Sequence, residues 1–143
     1  MKNGFKILVA GLALLASAQL ISCKKEKKED PSIVGTWESK TFSFVTKLNG
    51  VVLSDTTEAF PGLTITFKAD NTYNSVDADD ASNNDFGTYS TNGSKLYINS
   101  TDGSKDTTDF QVTATEFTLS GSEIEKDGSL TYETNTAIKF SRK

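Results

Sequence analysis

The chain of 143 residues contains no histidine. That removes the commonest general base, the commonest metal ligand and the usual pH switch of neutral solution. It has a single cysteine, so no intramolecular disulfide can form, and a lone cysteine in an exported protein points to an intermolecular bond, a free thiol or a modification. No Gly-x-Ser-x-Gly elbow, Walker loop or dinucleotide fingerprint occurs. Basic side chains number 15 against 19 acidic ones, a formal net charge of −4. That balance argues against nucleic acid as a partner, since such binding requires a basic surface. Prolines number two, and no 3.6-residue periodicity appears beyond Leu20. A chain of this length suits one domain, not two.

Long apolar runs are also missing. The longest, Ile7 to Leu20, has fourteen residues and follows Lys2 and Lys6. It suits a signal-peptide core and falls short of the roughly 20 residues needed to span a bilayer. Immediately after it stands Leu20-Ile21-Ser22-Cys23, which resembles the bacterial lipobox. The resemblance implies cleavage between Ser22 and Cys23, a thioether from Cys23 to diacylglycerol, and acylation of the freed amine by a long chain such as palmitate. An ordinary cleavage site is available at Ser17-Ala18-Gln19. The lipoprotein reading is preferred because the chain's only cysteine occupies the one position that uses it. At roughly 0.8 kcal/mol per buried methylene, each acyl chain contributes on the order of 10 kcal/mol to anchoring. No other cofactor is expected.

Residues 1–22 are therefore read as a signal peptide and residues 23–32 as the lipidated cysteine with a charged flexible tether. Residues 33–143 are read as the folded domain. Removing residues 1–22 takes Lys2 and Lys6 with it and leaves 121 residues at a formal charge of −6. The tether, Lys-Lys-Glu-Lys-Lys-Glu-Asp-Pro-Ser from Lys24 to Ser32, has no apolar residue with which to order itself. Fully extended it reaches about 30 Å. Its lysines either gain about 1 kcal/mol each from an anionic membrane surface or form part of a solvated spacer, the simpler reading. Lys28-Glu29-Asp30 resembles the export tag of some Bacteroidota surface lipoproteins. The expected location is the cell envelope, at the outer membrane, with the periplasmic or surface-exposed side left open.

From Ile33 onward the pattern is strands and tight turns. Nineteen threonines suit pleated surfaces and lower helix propensity. Leu63, Ile65 and Phe67 alternate with Thr64, Thr66 and Lys68, the pattern of a half-buried strand. Ala69-Asp70-Asn71 turns the chain into Thr72–Val76. Asn49-Gly50 and Asn92-Gly93 read as hairpin turns, and Asp102-Gly103 and Lys126-Asp127-Gly128 as further turns. Phe117 and Leu119 share one parity, as do Leu130, Tyr132, Ile138 and Phe140 in a long last strand. The first strand breaks phase: Trp37 is odd, Phe42 and Phe44 even. A bulge near Lys40 brings all three to the inner face. The expected fold is all-β: an antiparallel meander of about eight or nine strands closed into a small up-and-down barrel, since closure removes exposed edges.

Ile33-Val34-Gly35-Thr36-Trp37, Phe67-Lys68-Ala69-Asp70-Asn71-Thr72-Tyr73, Gly87-Thr88-Tyr89 and the closing Lys139-Phe140-Ser141-Arg142-Lys143 stand in an order similar to that of the bacterial lipocalin-like lipoprotein domains. The similarity covers nearly all of residues 33–143. It implies a barrel in which Gly35 and Trp37 open the first strand and Arg142 packs across the tryptophan. The lipocalin Thr-Asp-Tyr block is absent, and the chain is shorter than a full lipocalin.

Trp37, Phe42, Phe44, Tyr73 and Tyr132 are aromatic residues that either line a ligand cavity or fill the core, and Phe42, Phe44, Tyr73 and Tyr132 are the candidate ligand contacts. Asp77, Asp79, Asp80 and Asp85 form an acidic cluster, readable as a cation site or as a polar hairpin loop. The loop is the simpler reading, because Ala81 breaks the EF-hand pattern. No metal site is assigned, and Asp102, Asp106 and Asp109 are likewise read as a polar hairpin loop. Phe60-Pro61-Gly62 reads as a turn between strands or as a lid at the barrel mouth. No catalytic residue is assigned and no enzymatic activity is expected. The function expected is a membrane-anchored monomer whose barrel binds a small, partly apolar ligand. The alternative is a solid barrel whose loops contact an envelope protein or a surface polymer.

Overall fold

The computed structural model describes residues 31–143. The signal peptide, the cleavage and lipidation site at Ser22 and Cys23, and the tether as far as Asp30 lie outside the described residues. Nine antiparallel strands follow in chain order: β1 (Gly35–Leu48), β2 (Val51–Ala59), β3 (Leu63–Phe67), β4 (Thr72–Asp77), β5 (Asp85–Asn92), β6 (Lys95–Ser100), β7 (Lys105–Val112), β8 (Glu116–Asp127) and β9 (Leu130–Arg142). Among the described residues a short 3₁₀ turn at Ala81–Asn83 is the sole helical element.

Consecutive strands pair from β3 to β9, and β9 returns to β1 along Trp37–Leu48, closing the barrel. β2 is not part of the wall. The first residues of β1, Gly35 to Glu38, pair with β3, whereas Thr41 to Leu48 pair with β2 on that same edge. The barrel therefore has eight strands, and β2 is a ninth that extends it. Beyond the wall, the distal halves of β1, β8 and β9 continue with β2 as a four-stranded wing.

The change of partner happens at the phase break in β1. The β1–β9 register shifts between Ser39 and Thr41, leaving Lys40 as the bulged residue. One extra residue restores phase, so Trp37, Ser39, Phe42 and Phe44 share the inner face. The chain entering β3 is fastened here: the Phe60 amide donates to the Lys40 carbonyl at 2.9 Å and the Leu63 amide to Ser39 Oγ at 3.1 Å. Ser39 is the buried polar residue of the core, 2 % exposed, and an amide that would otherwise lack a partner accounts for a serine there.

The core is densest toward one end of the barrel. Trp37 and Phe117 are fully buried, with Phe67, Phe140, Leu96, Tyr73 and Tyr89 packed around them. Phe117 sits at the centre, with ring centroids 5.4 Å from both Trp37 and Phe140 and 5.7 Å from Phe67. Full burial of each such ring contributes about 2–3 kcal/mol before entropy is counted. Gly87 lies where β6 approaches closely: a Cβ there would overlap the Asn99 carbonyl oxygen.

The turns follow their sequences with two corrections: the β8–β9 turn is Gly128-Ser129 and not Lys126-Asp127-Gly128, because Asp127 pairs with Leu130, and the β5–β6 turn is shifted likewise. Asn49 and Gly50 both have positive φ, 48° and 81°, the signature of a two-residue Asn-Gly hairpin. At the β5–β6 hairpin Asn92 pairs with Lys95, so the turn is Gly93-Ser94 and not Asn92-Gly93. Gly93 alone of that pair has positive φ, 57°, which fits the turn type with glycine in first place.

Candidate functional site

The two ends of the barrel differ. The end holding the first residues of β1 and the last of β9 is sealed. Trp37 Nε1 donates to the Ile33 carbonyl at 2.8 Å. The Arg142 guanidinium lies 4.2 Å from the centre of the Trp37 ring. It donates to the carbonyls of Ala114, Val34 and Ser32 at 2.9, 3.0 and 2.9 Å. Its planar fork thus ties the chain entering β1 to the β7–β8 turn and caps the aromatic core. Gly35 takes φ +141°, and a Cβ there would overlap Arg142 Nη1, so both conformation and space call for glycine.

The opposite end is open. Here the inward-facing residues leave a cavity of about 170 Å³ whose floor is Phe67 and Leu96. Its apolar walls are Ile65, Ile98 and Leu119, and its polar walls are Tyr73, Ser75, Asp85, Asp106 and Thr108. The barrel wall parts beside it. β7 and β8 pair only from Asp109–Ser120 to Phe110–Leu119, Gln111–Thr118 and Val112–Phe117, so Lys105–Thr108 separates from the outer half of β8. Thr108 Oγ1 donates to the Ser120 carbonyl at 3.0 Å where the strands part. A second cavity of about 370 Å³ occupies the gap, between Phe42, Gly121, Thr136 and Ile138. It shares Asp106, Thr108 and Leu119 with the first. A wider recess, about 650 Å³, lies at the sealed end between Pro31–Ile33 and the β5–β6 turn. It is formed largely by turns and the entering chain, whereas the open-end cavity is formed by side chains that the strands aim inward.

The polar side of the cup is organised by Asp85. The Tyr73 and Ser100 hydroxyls both donate to its carboxylate. Burial, reinforced by the Asp85 carboxylate, pushes the Tyr73 phenol above its ordinary range. Burial likewise raises the Tyr89 phenol, which donates to the Lys68 carbonyl at 2.8 Å nearer the sealed end. Two readings of acidic residues are corrected here. Asp85 belongs to β5 and not to the loop before it, because it pairs with Ser75 on the inward register. Asp106 and Asp109 belong to β7 and not to a hairpin loop; Asp106 pairs with Ile98 and so takes the inward register, while remaining exposed at the mouth.

The loop between β4 and β5 closes on itself. Asp77 accepts from the amides of Asp79 and Asp80 and from the Asn83 side chain, and Asp80 accepts from Ser82. These hydrogen bonds, first from Asn83 to Asp77 and from Ser82 to Asp80, hold both carboxyls below the usual range. No group of three or more acidic, histidine or cysteine side chains is arranged to hold a metal among the described residues.

The candidate ligand contacts separate. Tyr73 lines the cup and Phe42 lines the gap beside it. Phe60 leans over Phe42 with centroids 6.2 Å apart, so Phe60-Pro61-Gly62 is a turn folded against the mouth. Phe44 and Tyr132 lie further out on the wing, opposite Thr136 and Leu48. Reasoning from sequence missed Ser39, Asp85 and Asp106 as inward residues. For Asp85 a signal existed: it stands two and four positions before Gly87 and Tyr89, on the same parity.

The sequence model of a family described as a lipocalin-like domain matches residues 33–119. No curated protein and no solved structure matches the chain.

Proposed function

The chain belongs to the lipocalin-like domain family, and on that premise we propose that it is a lipid-anchored envelope protein whose barrel holds a small, partly apolar molecule. The observation that carries the proposal is the cup at the open end of the barrel, with apolar and polar walls above the packed aromatic core. Binding sites are concave, largely apolar and furnished with a few placed polar groups. The cup is small, about 170 Å³, and suits a molecule of one ring or a short chain, with the adjoining gap to receive a larger part. We read the protein as a binder without catalytic activity, because Asp85 is held as a fixed acceptor by Tyr73 and Ser100.

Anchoring through Cys23 is part of the same proposal. It is supported by the sequence Leu20-Ile21-Ser22-Cys23 at the end of an apolar run. Replacing Cys23→Ser is expected to abolish incorporation of labelled palmitate and to release the protein from the membrane fraction. A variant that stays acylated and membrane-bound contradicts the anchor. For the cup, native mass spectrometry of the full chain purified from its own host tests occupancy. An added mass that is lost on denaturation is expected. A bare mass that persists after addition of host envelope extract contradicts it.

A second reading has its own observation. All nine residues of β2 are exposed, and Val51, Val52, Leu53 and, on β8, Ile124 are each more than half exposed. The wing would then contact another envelope protein. Chemical crosslinking in cells through residues of β2, lost when Val52 and Leu53 become Ser, distinguishes this role from ligand carriage.

A further inference from the structure

We infer that the molecule held in the cup is a cation: a small amine with an apolar body. The inference rests on the cup reading above and adds the ligand's charge. It follows from how the register distributes charge between the two faces of the sheet.

Strand pairing decides which side chains look inward. On β4, β5 and β7 the inward positions include Asp77, Asp85 and Asp106, since Asp77 pairs with Leu63, Asp85 with Ser75 and Asp106 with Ile98. The inner face continues onto the wing through Phe42–Ile138 and Leu119–Ile138, and there it carries Glu58, Glu123 and Glu125. Basic strand residues take the other face. Lys47 pairs with Glu133 and bonds to it at 3.1 Å, and Lys95 pairs with Asp109 and bonds to it at 2.8 Å. Lys105, opposite Asn99, and Lys139, opposite Thr118, have the same outward parity. Lys40 is the bulged residue and its ammonium reaches Glu38. Arg142 is the inward-register cation among the described residues, and it is engaged at the sealed end against Trp37.

The cup is thus lined by two carboxylates, Asp85 and Asp106, and the basic strand residues lie outside the wall or at the far end, while Asp77 is engaged within its own loop. A concave surface carrying charge of one sign favours a ligand of the opposite sign. An anionic ligand such as a fatty-acid carboxylate would meet Asp85 and Asp106 directly. An ammonium meets Asp85, Asp106, Ser75 and Thr108, all able to accept its hydrogen bonds. Its apolar body then lies on Ile65, Ile98 and Leu119. Tyr73 and Ser100 already direct their protons at Asp85, which leaves the outer lone pairs of that carboxylate for a donor arriving from the mouth.

The test uses three probes with one carbon skeleton: 2-phenylethylamine, 2-phenylethanol and phenylacetate. They are titrated calorimetrically into the detergent-solubilised full chain at low ionic strength. The amine is expected to bind about tenfold or more tighter than the alcohol, and phenylacetate weakest, as a charge-assisted hydrogen bond gives. The preference is expected to shrink as salt screens the cup. It is expected to fall several-fold in Asp106→Asn, whose Oδ1 touches only the Thr107 amide, so that the fold does not depend on it. Asp85→Asn gives a second, larger loss, and if that variant fails to fold, Asp106→Asn alone carries the test. Alcohol or phenylacetate binding as tightly as the amine overturns the charge assignment and leaves the cup reading standing. Absence of binding by all three, with a bare mass for the host-purified protein, overturns both.

Discussion

Replacing Arg142 with Ala isolates the seal at the closed end of the barrel. Arg142 makes three hydrogen bonds to backbone carbonyls and stacks on Trp37 at 4.2 Å. The residue is exposed, so the three carbonyls regain water when it is removed, and each bond counts at the low end, about 0.5 kcal/mol. The cation over the indole adds about 0.5–1 kcal/mol at such a site. Arg142→Ala is therefore expected to cost about 2–2.5 kcal/mol. Arg142→Lys keeps the charge over the ring but not the fork, and is expected to cost about 1 kcal/mol. For a domain of this size that corresponds to roughly 4 °C in Tm per kcal/mol. The assay is urea unfolding followed by fluorescence, with Trp37, the chain's single tryptophan, as reporter. A loss below about 0.5 kcal/mol, or a lysine variant no more stable than the alanine variant, refutes the assignment of a bonded cap to Arg142.

Ser39→Ala removes the acceptor of the Leu63 amide at the point where β1 changes partner, and thermal melting should register a loss of about 1–3 kcal/mol. Gly87→Ala forces a Cβ into the Asn99 carbonyl and is expected to cost about 2–3 kcal/mol, read from the urea midpoint. The phenols of Tyr73 and Tyr89 are raised above their ordinary value of 10.0 in the folded barrel, so the stability they contribute is complete below pH 10 and is lost as pH rises toward their folded values. Tyr73→Phe should accordingly make the fall in Tm above pH 10 shallower; an unchanged slope contradicts the burial of that phenol.

The parts of the fold legible in sequence were those governed by local rules. Leu63, Ile65 and Phe67 alternate because one face of β3 meets the core. Asn49-Gly50 specifies its turn through positive φ at both residues. The bulge at Lys40 could be read from the parity change between Trp37 and Phe42, because a strand that must face one core cannot change phase without an extra residue. What was not legible depends on pairing between distant residues. Where β1 leaves β3 for β2 depends on a serine, and a buried Ser39 looks like any surface serine in sequence. The wing is rich in Thr and Ser on both faces, so its alternation does not separate wall from extension. Asp85 and Asp106 acquire meaning only from their partners Ser75 and Ile98, across registers that no local pattern encodes. Hence residue type alone does not separate the aromatic candidates: Phe44 and Tyr132 lie on the wing while Tyr73 lines the cup.

The most direct test of the cup is a two-dimensional amide NMR spectrum of the isotopically labelled protein, recorded before and after adding a small-molecule extract of the host envelope. Ligand carriage predicts shifts concentrated at Ser75, Ile98, Asp106, Thr108 and Leu119, with the sealed end around Trp37 and Phe140 unmoved. An unchanged spectrum, or shifts confined to β2 and Ile124, contradicts a ligand in the barrel and moves the binding role to the wing.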